Sequence, residues 1–192
     1  MNIDQLKGVA SKGRGFAFTN LFSVGLPSFG KYDTRDLNIL CTNVNMPGRQ
    51  IMTQERIIGP KARKMPTGFA SDDVSMTFHV MNDYLIKEYF EEWQNKVINQ
   101  DTFELGYANN FCKQVRIQQL KKGMAFDFPI DKIFGLNLDL DIRTEAKAIR
   151  TCTLLDAFPT TMTAIDFNND QDGLVKLAVQ LSYTNWTSKE QG

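Results

Sequence analysis

Groups that carry chemistry are scarce in this chain. It has one histidine and three cysteines, Cys41, Cys112 and Cys152, which are far apart and form no CxxC pair. Isolated thiols in apolar or alternating segments, odd in number, point to free cysteines in a reducing compartment, not to a disulfide framework or a zinc site. His79 falls on the polar side of an alternating stretch with no serine or cysteine motif beside it, so it is expected to face solvent or an interface instead of serving as a base. The glycines of "KGRGFAF" and "KKGMAF" lack both the spacing of a phosphate loop and its strand-loop-helix setting. No apolar run approaches the roughly 20 residues needed to span a bilayer. The start, "MNIDQLKGVASKGRGFAF", has no apolar core of a secretion signal, so the protein is expected to stay where it is made. Lysine plus arginine equals aspartate plus glutamate at 22 each, which leaves no global field to draw the chain to nucleic acid or an anionic membrane. These absences predict a protein that is not an enzyme and uses no cofactor or metal.

What is present is a folding pattern. With 192 residues, 42% of them apolar, the chain is long enough for one well-cored domain over 1–192. Residues 1–15 are polar and rich in glycine and lysine, and read as a loosely held arm. Strand patterns follow in "TNLFSVGLP" (19–27) and "LNILCTNVNMPG" (37–48). Residues 47–70 hold prolines and glycines with little periodicity, and read as a long basic loop carrying Arg49, Arg56, Lys61, Arg63 and Lys64.

Next, Val74, Met76, Phe78 and Val80 alternate with Ser75, Thr77 and His79, the period-two signature of a strand with one buried face. After two good N-cap residues, Asn82 and Asp83, the period changes. Ile86, Tyr89, Phe90, Trp93 and Val97 recur at helical spacing as one aromatic stripe, with Glu92 and Lys96 ordered for an exposed ion pair. Further strand patterns lie at 112–120, 135–143, 149–160 and 174–186. The class is therefore mainly β: antiparallel strands closing toward a sandwich or barrel, with one flanking α-helix.

Three readings compete on residues alone. Asp139 and Asp141 share one face of a strand and, with His79, could form a small acid site, although alternation explains both aspartates as a wet face. Lys12, Arg14 and the basic loop could bind DNA, but zero net charge argues against it. The third reading is an interaction or structural protein, which the missing chemistry favours.

Several stretches, in order along most of the chain, resemble the tail tube protein of contractile-tailed bacteriophages: "NLFSV" (20–24), "CTNVNMPG" (41–48), "KMPTGF" (64–69), "TFHVMND" (77–83), "FEEWQ" (90–94), "DAFPT" (156–160) and "LSYTNW" (181–186). The resemblance implies subunits that join sheets into six-membered rings. The rings stack as a tube inside the contractile sheath, and DNA leaves the capsid through it. Partners would be other copies of the chain, sheath and baseplate tube proteins, and, in the lumen, the tape measure protein and DNA, in a virion tail assembled in the host cytoplasm. The basic loop would reach the adjacent ring or subunit, and Asp139, Asp141, Lys176 and Gln180 would lie on a lumen or interface face. "GMAFDFPIDKIFGLNLDLDIRTE" (123–145) is longer than the resemblance implies and reads as an added hairpin. A baseplate tube initiator or adaptor, or a tube terminator, would share the fold.

Overall fold

The computed structural model describes residues 17–29, 32–59, 61–121, 148–165, 167 and 173–190. The 1–15 arm, the 123–145 stretch, and Asp139 and Asp141 within it lie outside these residues. The described residues form nine strands and three helices. The strands are β1 (Phe22–Gly25), β2 (Cys41–Val44), β3 (Gln50–Ile58), β4 (Lys61–Ala70), β5 (Val74–His79), β6 (Lys113–Leu120), β7 (Ala148–Met162), β8 (Lys176–Ser182) and β9 (Asn185–Glu190). The helices are α1 (Thr34–Ile39), α2 (Leu85–Val97) and α3 (Ala108–Phe111). Every ladder is antiparallel, as the alternating patterns predict.

The long strand β7 organises the body. Its first half pairs with β6 on one edge and β9 on the other; its second half pairs with β8, and the sheet continues through β5 to β2. The handover comes at Asp156, which sits at φ 54, in the left-handed region where aspartate is among the better-tolerated residues. Two four-stranded halves, β1-β6-β7-β9 and β7-β8-β5-β2, thus share one strand. Their inward residues, Val24, Val115, Ile117 and Leu154 from one half and Met76, Phe78, Leu177 and Val179 from the other, belong to one core.

Helix α2 closes that core, as its stripe predicts. Ile86, Tyr89, Phe90 and Trp93 are fully buried, and Val97 is half-buried. Tyr89 and Trp93 satisfy their polar ends inside the protein: the Tyr89 hydroxyl donates to the Pro27 carbonyl at 2.6 Å and Trp93 Nε1 to the Phe111 carbonyl at 2.8 Å. Lys96 and Glu92 form the expected pair at 3.0 Å. The helix starts later than Asn82 and Asp83 suggest. Tyr84 occupies the cap position at φ 54, while the Asp83 carboxylate accepts the Leu85 N–H at 3.2 Å. Beyond the helix the chain doubles back, and the Gly106 N–H donates to the Val97 carbonyl at 2.8 Å. A Cβ at Gly106 would run into the Lys96 carbonyl, so this close approach requires glycine.

Three readings of the pattern are corrected. Residues 37–48 are not one strand, because α1, capped by the Asp33 side chain, runs through Leu37 before β2 begins. The 174–186 pattern bends at Tyr183 and Thr184 and continues as β9. Residues 47–70 are not a loop: β3 and β4 form a hairpin from Gln50 to Ala70, reversing at Gly59, whose φ is +69°. Its strands lack a clean alternation because neither face meets the subunit's core.

Candidate assembly surface

The hairpin rises from between β2 and β5, which are neighbours in the sheet, and forms a two-stranded sheet of its own with every described side chain exposed. Pairing in register gives it two distinct faces. On one, Arg56 lies directly opposite Arg63, with Lys61 toward the turn and the Gln54–Met65 pair toward the base. On the other, Ile51 faces Phe69, Thr53 faces Pro66, Glu55 faces Lys64 and Ile57 faces Ala62. Ile51, Ile57 and Phe69 are 64%, 82% and 55% exposed. Like charges directly opposite are unfavourable, and a two-stranded hairpin alone in water is marginal at best. Residues 49–70 hold five cations and one acid, a net +4 in a chain whose formal charge is zero, which leaves −4 for the rest.

The structure divides the predicted cations. Arg56, Lys61, Arg63 and Lys64 are gathered on the outer part of the hairpin, and none forms an ion pair among the described residues, whose two ion pairs both lie on α2. Arg49 is engaged within the subunit. Its guanidinium lies 5.0 Å from the Phe69 ring centre and 5.2 Å from that of Trp186, with a 3.4 Å hydrogen bond to Asn185 Oδ1. This cation–π clamp ties the hairpin's base to β9. Nearby, the Tyr183 hydroxyl donates to the Asp72 carbonyl at 2.9 Å. Nothing in sequence spacing signals the clamp, because its members are about 20 and 140 positions apart.

The body also has free edges. β1 and β2 end the two halves of the sheet, each only four residues long. Between them lies a groove of about 830 Å³ lined by Phe18, Phe22, Cys41, Val44, Met46 and Ile117, among others. The unpaired N–H and C=O groups of an edge strand are a liability that association removes. Burial pushes the Cys41 thiol up to about 11, so at neutral pH it is a small apolar lining group, not a nucleophile. Burial also raises Cys112 and Cys152, and all three cysteines are free.

Lys176 and Gln180 lie on the outward side of β8, where Lys176 is paired with His79 and Gln180 with Ser75. His79 is half-buried, with its Nδ1 shielded and unpartnered among the described residues. No group of three or more histidine, cysteine or acidic side chains with metal-binding geometry occurs among the described residues, and no described helix is long and apolar enough to cross a membrane.

Several solved structures share this architecture. A chain of the extracellular contractile injection system PVC sheath-tube complex, in the extended state, is 15% identical with a TM-score of 0.62, covering 100% of this chain and 99% of that one. A chain from the anti-feeding prophage tube-terminating cap is 15% identical with a TM-score of 0.61, covering 93% of each. One from the anti-feeding prophage baseplate is 12% identical with a TM-score of 0.60, covering 91% of this chain and 96% of that one. At these identities the likeness is one of fold alone. The family follows from a separate comparison: the phage tail tube protein model matches residues 14–189, so the chain belongs to that family, whose members are components of the virion tail. No curated protein matches the chain.

Proposed function

We propose that this protein is a structural subunit of the tail tube, assembling into closed six-membered rings that stack into a hollow conduit for phage DNA. The observation that carries the reading is the β3–β4 hairpin, solvated on both faces in the subunit, with Ile51 and Ile57 bare and Phe69 more than half exposed beside Arg49. Such an element is ordered most readily by a neighbour that covers the apolar face and answers Arg56 and Arg63 with acids. The −4 carried by the rest of the chain makes another copy a suitable neighbour. Ring closure would pair the free edges of β1 and β2 across subunits. The role is architectural, without catalysis. Sheath would surround the tube, baseplate tube proteins would continue it, and tape measure protein and DNA would occupy the bore. That similar folds occur in sheath-tube, baseplate and cap structures supports the sheath and baseplate neighbours. It also supports the second reading, a tube initiator or terminator that forms a single ring.

The test is charge reversal on the cationic face. Arg56→Glu, Lys61→Glu and Arg63→Glu together are expected to leave the subunit's circular dichroism and melting temperature unchanged while abolishing stacked tubes. Normal tubes from this variant would refute the role given to the hairpin.

A further inference from the structure

We infer, on the tube reading above, that the connection from α2 to α3, residues 98–107, is the seat on a second copy of this chain that receives the β3–β4 hairpin. Among the described large apolar side chains the three most exposed are Tyr107 at 83%, Phe103 at 82% and Ile57. Ile57 belongs to the hairpin. The other two lie in this connection, where Leu105 and Ile98 are exposed as well. Scattered single apolar residues are ordinary on a surface, but four within ten positions mark a contact.

The backbone holds these side chains out. Asn99 Oδ1 accepts the N–H groups of Asp101 at 2.9 Å and Thr102 at 3.2 Å. The Phe103 N–H donates to the Asn99 carbonyl at 2.8 Å, the Asn99 N–H donates to the Glu104 carbonyl at 3.0 Å, and Ile98 pairs with Leu105 as an isolated bridge. Phe103 itself sits at φ 56, a conformation that bulky residues adopt only where their surroundings impose it. The seat is therefore formed before anything docks on it.

Charge identifies the occupant. Residues 98–107 contain Asp101 and Glu104 and no cation, and neither acid forms an ion pair among the described residues. The hairpin has the complementary make-up, bare Ile57 among cations without ion pairs. Its two strands lie only about 5 Å apart, so Lys64 on the apolar face and Arg56 and Arg63 on the other can all reach past its edges to acids beside Ile57. Strands of nine and ten residues, about 30 Å long, carry it well beyond its own body. Its own subunit's connection stays uncovered, so the seat is filled by another copy. Each subunit then gives one hairpin and receives one, a contact between unlike surfaces that closes rings or extends stacks.

Cross-linking tests the seat. Ala62→Cys, opposite Ile57 on the hairpin, and Thr102→Cys, beside Phe103, keep every apolar contact residue; each is made in a background of Cys41→Ser and Cys112→Ser. Tubes of each variant alone, and tubes of an equal mixture, are treated with a short bismaleimide. Covalent dimers holding one chain of each kind are expected from the mixture, and none from either variant alone. Mixed tubes without dimers, or dimers from Ala62→Cys tubes alone, would overturn the seat and leave the tube reading standing. As a second variant, Asp101→Lys with Glu104→Lys is expected to keep the circular dichroism of the subunit and to raise the concentration needed for tubes about tenfold or more. Tubes at the wild-type concentration would overturn the seat and free the connection for another partner such as the sheath. A wild-type chain that forms no hollow assembly overturns the tube reading, and the seat with it.

Discussion

Replacing Trp93 with alanine tests whether α2 is the keystone of the subunit. The indole is fully buried, stacked on Phe90 with an interplanar angle of 11° and in contact with Phe29, their ring centres 5.2 Å apart. Truncating a buried aromatic of this size costs about 3–5 kcal/mol. The Phe111 carbonyl, now 2.8 Å from Nε1, loses its donor, which adds about 1 kcal/mol. Against a total stability of about 5–15 kcal/mol this is a large fraction, and at about 2–4 °C per kcal/mol for a chain of this size the melting temperature should fall by roughly 10–20 °C. The assay is thermal denaturation followed by circular dichroism on dilute subunits, because assembly would add concentration-dependent stability. Trp93→Phe separates the two contributions, since it keeps most of the ring and loses only the N–H. An alanine variant within about 1 kcal/mol of wild type would refute the docking of α2 described here.

Tyr89→Phe should cost about 1–2 kcal/mol in the same assay, because it strands the Pro27 carbonyl that the hydroxyl now reaches at 2.6 Å. High pH should destabilise the fold. Burial raises Tyr89 above its ordinary value and lifts Cys41 to about 11, so above the unfolded values of about 9 to 10 the unfolded chain gives up protons that the folded one keeps. Stability is then full below that range and falls as pH rises, by up to about 1.4 kcal/mol per pH unit for Tyr89; denaturant midpoints at pH 8 and pH 11 check the sign. Arg49→Ala should remove the clamp on Phe69 and Trp186, leaving the melting temperature of the body nearly unchanged while hastening tryptic cleavage after Arg56 and Lys61.

The parts of the fold legible in the sequence are those in which one face meets the core. Val74, Met76 and Phe78 alternate because β5 has a wet side and a dry side, and Ile86 to Trp93 repeat at helical spacing because α2 has one buried stripe. The hairpin is illegible for the same reason in reverse. In a single subunit both its faces are solvated, so Gln50–Ala70 shows no alternation, and Gly59, Pro60, Pro66 and Gly68 read as loop chemistry. On the proposed reading its pattern answers to contacts between copies, which one chain does not display. Its charge is readable, so Arg56, Lys61, Arg63 and Lys64 stand out as a group while the apolar partners Ile51, Ile57 and Phe69 do not. Proximity in sequence groups Arg49 with them, but contacts across the fold give it a different task. The break between β8 and β9 is hidden because Leu181 and Tyr183 carry the apolar rhythm up to the bend and another large apolar residue, Trp186, follows just beyond it.

Negative-stain electron microscopy of the purified wild-type protein, over a range of salt and protein concentrations, tests the central claim most directly. The account predicts hollow tubes built of stacked rings, shortened or lost as salt screens the hairpin's cations. A monodisperse monomer under every condition would contradict it.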